Sequence, residues 1–170
     1  FTFSGYISEQ NNAYYVWQTA SMYYRSMGLA IGLGKRLQWP DPYFTFYGEL
    51  GYQHYGLKGW SSFIMSDGVS NTLSLKLVIQ RSSVDSPFYA RSGSEFMASV
   101  QATPPYSLWD GKDYADPNMS DQDRYRWIEF HKWLLKARWY FPLTHNQNLV
   151  LMLGAEMGFL GSYNKNKVSP

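Results

Sequence analysis

Hydrophobic and polar residues alternate with a period of two along much of this 170-residue chain. In the clearest stretch, 72–80, every second position holds a large aliphatic residue: Leu73, Leu75, Leu77 and Ile79. The same alternation recurs at 28–34, 44–53, 132–141 and 149–159. Successive side chains of a β-strand point to opposite faces, whereas a helical stripe repeats about every 3.6 residues. The pattern therefore predicts strands nearly throughout, each with one apolar and one more polar face.

We predict about seven strands from these runs and the turn residues between them. They lie at roughly 1–9, 20–38, 43–57, 71–84, 94–104, 124–141 and 148–162. Short connections at 39–42, 85–93 and 142–148 alternate with long polar ones at 10–19, 58–70 and 103–123. In outer-membrane barrels the periplasmic turns are short and the external loops are long. The alternation of lengths thus favours a β-barrel in a membrane.

Composition narrows the class of protein further. Aromatic residues make up 19% of the chain and charged residues only 16%, with a formal net charge of +2. Because no block of like charge occurs, a nucleic-acid partner is not expected. The absence of cysteine excludes disulfide scaffolds and thiol catalysis. Many aromatic rings suit either a soluble β-sandwich or ligand-binding barrel, or a transmembrane barrel with rings at both membrane boundaries.

The two faces of the predicted strands suit two different solvents. One face carries leucine, isoleucine, phenylalanine, tryptophan and alanine, which suit acyl chains. The other face carries charges that suit a water-filled lumen: Glu49, Lys76, Lys136, Arg138 and Glu156. Strands cross lipid only as a closed barrel, because every backbone polar group must be paired there. Since seven strands leave two open edges, either the barrel has eight strands or this chain is a section of a larger one. The start at Phe1 without a leader peptide also suggests a piece of a longer chain.

One predicted turn carries a family resemblance. Residues 81–96 contain an Asp, a Pro two positions later, an aromatic residue and then Gly-Ser: Asp85, Pro87, Tyr89, Gly93 and Ser94. This pattern, with further matches at 103–109, 132–133 and 161–165, resembles the BamA superfamily of outer-membrane proteins. Ala90 departs from it, because the family often has a second proline there. The order of the pieces is similar to the middle of such a barrel, roughly the fifth to the eleventh of about sixteen strands.

The resemblance implies an all-β, antiparallel, up-and-down transmembrane β-barrel, of which residues 1–170 form a part. The POTRA domains, the gate strands and the inserted loop of the family are expected outside this chain. The implied activity is the folding and insertion of β-barrel proteins in the outer membrane of Gram-negative bacteria, without catalysis or a cofactor. The implied partners are unfolded outer-membrane proteins, outer-membrane lipids and BAM-type accessory subunits.

The residues of the turn also have a local interpretation. Pro87 fixes φ, Asp85 can accept a hydrogen bond from the backbone two residues on, and Gly93 tolerates a left-handed conformation. The turn could therefore be a simple hairpin stop, or it could contact a periplasmic domain below the barrel.

Other polar clusters give weaker predictions. The 109–123 stretch is rich in acids, namely Asp110, Asp113, Asp116, Asp121 and Asp123. Because the EF-hand spacing is absent, we expect an external loop that faces solvent, a partner protein or lipopolysaccharide, rather than a metal site. His54, His131 and His145 show no metal-ligand spacing. Glu49 and Glu156 lack a nucleophile motif beside them, so we predict no catalytic residue.

Three functions are compatible with the sequence. The first is a BamA-like insertase, and the second is a transport or two-partner secretion pore of related architecture. The third is a soluble β-barrel or an outer-membrane enzyme, for which the sequence offers no recognisable set of active-site residues.

Overall fold

The computed structural model describes residues 1–12, 22–59 and 67–167, which contain a single antiparallel sheet. Its strands are β1 (Thr2–Asn12), β2 (Met22–Arg36), β3 (Phe44–Lys58), β4 (Gly68–Ser82), β5 (Gly93–Ala102), β6 (His131–Pro142) and β7 (Val150–Gly161). Two single-turn helices, α1 (Tyr106–Trp109) and α2 (Asp121–Arg124), lie between β5 and β6, and a 3₁₀ turn covers Lys165–Lys167. No helix among these residues is long and apolar enough to cross a membrane.

The strands pair strictly in chain order, each with the one before it and the one after it. This confirms the prediction of an all-β, up-and-down antiparallel sheet of seven strands. The sheet is not closed on itself, because β1 and β7 are its two edges in the part of the chain that the structure describes.

The register of the strands explains the alternation in the sequence. Leu29 lies opposite Tyr52, and Tyr52 lies opposite Leu73. In the second half of the sheet, Leu135 lies opposite Met157. Because directly opposed residues of an antiparallel ladder project to the same side, the apolar rows of all strands fall on one face of the sheet. The apolar face and the polar face predicted from the period of two are therefore confirmed.

Some predicted boundaries were wrong. We predicted that the sixth strand begins near residue 124, but β6 begins at His131, the ladder partner of Ala102 at the end of β5. Because β5 ends there, residues 124–130 have no antiparallel partner in the sheet and bond elsewhere. In addition, β1 continues to Asn12 and β4 begins at Gly68.

The predicted alternation of connection lengths holds only in part. The connections 13–21 and 59–67 are no longer than the 83–92 turn, because β1 and β3 end later than predicted, at Asn12 and Lys58, and β4 begins earlier, at Gly68. Only 103–130 is much longer than the turns at the opposite end of the sheet.

The sheet has almost no hydrophobic core of its own. Among the described residues the buried hydrophobic side chains are Leu57, Tyr114 and Tyr125. The apolar face, in contrast, is open to the surroundings, with Leu29 58% exposed and Phe159 56% exposed. An apolar surface of this extent is an aggregation hazard in water and marks contact with a membrane or another protein.

Candidate functional site: an apolar band, a paired polar face and a folded cap

The apolar face has a central band without charges. In β2, Arg25 and Lys35 lie on this face at the two ends, and the residues between them on the same face are Met27, Leu29, Ile31 and Leu33. Ten residues of strand span about 33 Å, which corresponds to about 25 Å of height at a tilt of about 40°. This is the height of the apolar band of an outer-membrane barrel. In β4 the polar and charged ends of the same face, Asn71 and Arg81, are equally far apart.

Aromatic and basic side chains border this band. Trp133 and His131 lie toward one end of β6, and Trp139 lies toward the other end. The rings of Trp139 and Phe96 meet edge-on with their centroids 5.1 Å apart. Aromatic side chains at both borders of an apolar band are typical of strands that cross a bilayer.

All five charges predicted for the lumen lie on the polar face, where they are placed as cross-strand partners. Lys136 and Glu156 are ladder partners and form an ion pair of 2.9 Å. Glu49 and Lys76 are also ladder partners, and the Tyr47 hydroxyl donates a hydrogen bond of 2.6 Å to Glu49. The polar face thus carries charges of both signs in opposed positions.

Arg138, the fifth of these charges, lies opposite an acid that the sequence did not reveal. Its guanidinium lies 3.9 Å from the carboxylate of Glu95, its ladder partner on β5. The sequence alone does not single out Glu95, because its position opposite Arg138 follows only from the pairing of β5 with β6.

Tyrosine rings lie across glycines on the same face. A Cβ atom at Gly28 would lie 2.3 Å from the ring of Tyr6, its ladder partner. A Cβ atom at Gly32 would lie 2.3 Å from the hydroxyl oxygen of Tyr47. These tyrosines occupy the space above the glycine backbone, so the polar face is lined by flat aromatic rings beside paired charges.

The turn between β4 and β5 is built around Asp85. Its carboxylate accepts hydrogen bonds from the backbone N–H groups of Arg91 at 2.9 Å and Ser92 at 3.2 Å. These two bonds lower the pKa of Asp85, because they stabilise its charged form. Ser94 then pairs with Ser83, whose N–H donates to the Ser94 carbonyl at 2.9 Å.

The other turn residues of the predicted motif have different surroundings. Gly93 has a φ of +108° and lies against the backbone of Ser83 and Val84, directly after β4. Tyr89 has a φ of +59° and is 93% exposed, as part of an exposed tip that includes Pro87. Asp85, Gly93 and Ser94 thus shape the turn. Contact of Tyr89 and Pro87 with another domain stays a prediction.

Residues 103–130 form a folded unit, here called the cap, that lies over one end of the polar face. The ring of Tyr125 packs against Leu57, with Tyr24 beside it. The hydroxyl of Ser70 donates a hydrogen bond of 2.9 Å to the carbonyl of Tyr125. Because Leu57, Tyr24 and Ser70 all project from the polar face, the cap covers that face rather than extending away from the sheet.

The cap also covers the part of β4 that extends past β5. The side-chain amide of Gln122 accepts from the N–H of Val69 at 2.7 Å and donates to its carbonyl at 3.0 Å. Asn71 donates its N–H to the Arg126 carbonyl and accepts from the N–H of Ile128, both at 2.9 Å. An exposed strand edge is a template for unwanted pairing. These contacts satisfy the edge of β4 within the chain.

Most acidic residues of the cap accept hydrogen bonds from groups within the cap itself. Asp113 accepts from the N–H of Ala115 and Asp116 from that of Asn118, each at 2.9 Å. Asp110 accepts from the Lys112 N–H and the Tyr114 hydroxyl, whereas Asp121 and Asp123 lie in α2, where Asp123 bonds Ser120. No group of three or more His, Asp or Glu side chains is placed to hold a metal in residues 1–12, 22–59 and 67–167.

A buried polar cluster lies where the cap meets the segment after β7. Glu129 accepts hydrogen bonds from the N–H and the hydroxyl of Ser107 and pairs with Lys167. Burial, and then the bond to Asp110, raise the pKa of the neighbouring Tyr114 hydroxyl. Neither Glu129 nor Lys167 was predicted from the sequence, since no local motif contains them.

The up-and-down sheet, with one apolar and one polar face, has the architecture of part of a β-barrel wall. Among solved structures, the fold is similar to the crystal structure of BamA from Haemophilus ducreyi lacking POTRA domains 1–3, with a TM-score of 0.59 and 16% sequence identity. The similarity covers 95% of this chain and 30% of that one. No protein-family model and no curated protein matches the sequence. The chain therefore shares its fold with a section of a BamA barrel.

Proposed function

We propose that this chain forms part of the wall of a larger, BamA-like barrel of about sixteen strands in a Gram-negative outer membrane. Two observations support this. The two strand edges, β1 and β7, lack partners in the described part of the chain. The apolar face carries a band about 25 Å high, bordered by aromatic and basic residues, which suits the hydrocarbon of that membrane.

We further propose that the whole protein folds and inserts other β-barrel proteins. The observation that carries this proposal is the fold similarity to BamA, which covers 95% of this chain. In such a process a strand of the unfolded protein pairs with an exposed edge of the barrel, which requires backbone hydrogen bonds and no covalent step. The partners would be unfolded outer-membrane proteins, lipids and accessory subunits of the BAM type.

Each surface of this section has a role in the proposal. The apolar band holds the wall in lipid, and the paired charges of the polar face keep the lumen wet without a large field of one sign. The cap covers the lumen at the external end. The turns at the opposite end, with the exposed ring of Tyr89, face the periplasm, where an accessory domain could bind.

Depletion of the full-length protein from its host tests the function. We expect the amounts of folded outer-membrane barrels to fall, and the purified protein in vesicles to accelerate the folding of an added unfolded barrel. Empty vesicles and vesicles containing an unrelated porin are the controls. Unchanged barrel levels after depletion, together with no acceleration in vesicles, would overturn the proposal.

A transport or secretion pore is the second candidate, and the paired charges of the polar face favour it. Lys136 with Glu156 and Arg138 with Glu95 would line a path for solutes or for a passenger chain. Conductance of the full-length protein in planar bilayers separates the two candidates. A steady open conductance without folding activity supports the pore, and a mostly closed channel with folding activity supports the insertase.

A further inference from the structure

Glu129 and Lys167 form a buried ion pair, whereas the other ion pairs of the described residues are partly exposed. The side chain of Glu129 is 0% exposed and that of Lys167 is 3% exposed. The Lys167 Nζ lies 3.1 Å from the Glu129 Oε1. The Lys136–Glu156 pair, in contrast, is 35% and 57% exposed. Glu129 is near the end of the cap, and Lys167 lies in the 3₁₀ turn that follows β7. The pair thus joins the cap to the segment after β7 at the same end of the sheet.

The Glu129 carboxylate has a partner at each of its oxygens. One oxygen accepts from the Ser107 N–H as well as from Lys167, and the other accepts from the Ser107 hydroxyl at 2.7 Å. The Lys167 ammonium also lies 4.6 Å from the centre of the Tyr114 ring, which attracts a cation. The pair therefore ties the beginning, the middle and the end of the cap to the segment after β7.

A buried pair of this kind behaves differently from an exposed one. Removing water from two charges is costly, and the attraction between them offsets that cost only while both remain in place. Removal of one partner leaves an unpaired charge in a buried site. Separation of Glu129 from Lys167 is therefore costly while either charge stays buried.

We propose that Glu129 and Lys167 act as a latch, which holds the cap closed over the polar face by fixing it to the segment after β7. When the pair separates, the segment after β7 no longer holds the cap. The cap is then held only by its contacts with β3 and β4, and it uncovers the end of the polar face more often. The contact itself does not depend on the proposed function. Its consequence for the mouth of a lumen rests on that proposal.

Hydrogen exchange of the full-length protein, read by mass spectrometry over 103–130, tests the latch. We expect Lys167→Met to raise exchange in the cap by about a hundredfold, because a buried carboxylate loses its counter-charge. The double variant Lys167→Met/Glu129→Gln should exchange more slowly than the single one, since the uncharged amide that replaces the carboxylate can still bond both groups of Ser107. Lys165→Met, which changes an exposed lysine of the same turn, should leave exchange unchanged.

The conservative variant Lys167→Arg keeps the charge and should stay close to the wild type. It shows whether any loss in Lys167→Met comes from the charge or from general misfolding, which would raise exchange in the β-strands as well. Equal exchange in Lys167→Met and wild type, or in the single and double variants, would overturn the latch.

Conductance of the same variants tests the consequence at the mouth. We expect Lys167→Met to open more often than wild type and Lys165→Met to match it. Raised exchange in the cap without any change in conductance would overturn the role at the mouth. A failure of the insertase proposal would leave the exchange result standing, because that measurement requires no folding activity.

Discussion

A Cβ atom at Gly93 would lie 2.3 Å from the carbonyl oxygen of Ser83 and 2.8 Å from the Cα of Val84. The first residue of β5 thus has no room for a side chain, and its φ of +108° is one that residues with a side chain rarely adopt. The close approach allows Ser83 and Ser94 to pair directly after the turn.

Gly93→Ala should therefore lower the free energy of unfolding of the full-length protein by about 3 kcal/mol or more, from backbone strain and overpacking together. Gly111→Ala is the matched control, because Gly111 also has a positive φ, of +65°, but a Cβ atom there would meet nothing within 4 Å. We expect it to cost about 1 kcal/mol. Chemical unfolding in lipid bilayers gives both values, and equal costs would contradict a close backbone approach at Gly93.

The apolar band gives a prediction that depends on depth. Leu75 lies near the middle of β4 on the apolar face, and Val69 lies on the same face near the end that the cap contacts. Leu75→Arg should destabilise the protein in a bilayer by about 2–4 kcal/mol, and Val69→Arg by about 0–1 kcal/mol. Unfolding measured in phospholipid vesicles checks the difference. Equal costs for the two variants would show that the face does not lie against lipid.

The two faces of the sheet could be predicted from the sequence because successive residues of a strand point to opposite faces, so that neighbouring positions alone show the pattern. Leu73 and Leu75 are two positions apart, and that spacing alone places them on one side. The role of Asp85 as a backbone acceptor in its turn was predictable, but its partners were not. A bond two residues on was expected, where Pro87 has no N–H, and Asp85 instead binds the N–H groups of Arg91 and Ser92 across the turn. The Ser120–Asp123 pair that begins α2 is also a local feature, because the Ser120 side chain accepts a hydrogen bond from the Asp123 N–H as an N-cap.

Other features could not be predicted because they depend on distant parts of the chain. Glu129 and Lys167 are 38 positions apart, and neither is unusual among its neighbours in the sequence. The start of β6 at His131 is set by the end of β5 at Ala102, and therefore by the register of the two strands. The lengths of the connections were misjudged for a similar reason, because polar strand ends such as Gln10–Asn12 resemble loops until their pairing is known.

The turn at Asp85 should respond to acid. The N–H groups of Arg91 and Ser92 lower the pKa of this carboxyl below its ordinary value of 3.8. A lowered pKa stabilises the folded turn above the pKa of the unfolded chain, and that stabilisation is lost as the pH falls through the folded value. The protection of these two amides from hydrogen exchange, corrected for intrinsic rates, should be constant above pH about 4 and fall below it.

Asp85→Asn tests the origin of this response, because Asn keeps an acceptor at the same place but does not titrate in this range. Protection of the Arg91 and Ser92 amides should be weaker than in wild type at neutral pH and should not change between pH about 5 and pH about 2. An acid response that persists in Asp85→Asn would assign the effect to another group.

Gln122 should protect the edge of β4 where β5 no longer reaches it. Its amide is the partner of both the N–H and the carbonyl of Val69. Gln122→Ala should raise the exchange of the Val69 amide about fivefold, the effect of one lost hydrogen bond. Gln122→Glu keeps an acceptor for that N–H and should leave its exchange close to wild type, although it loses the donor to the carbonyl. Gln80→Ala, at the other end of β4, controls for general loosening of the strand. If Gln122→Ala and Gln80→Ala gave the same exchange at Val69, the edge would be protected by the backbone bonds at Asn71 alone.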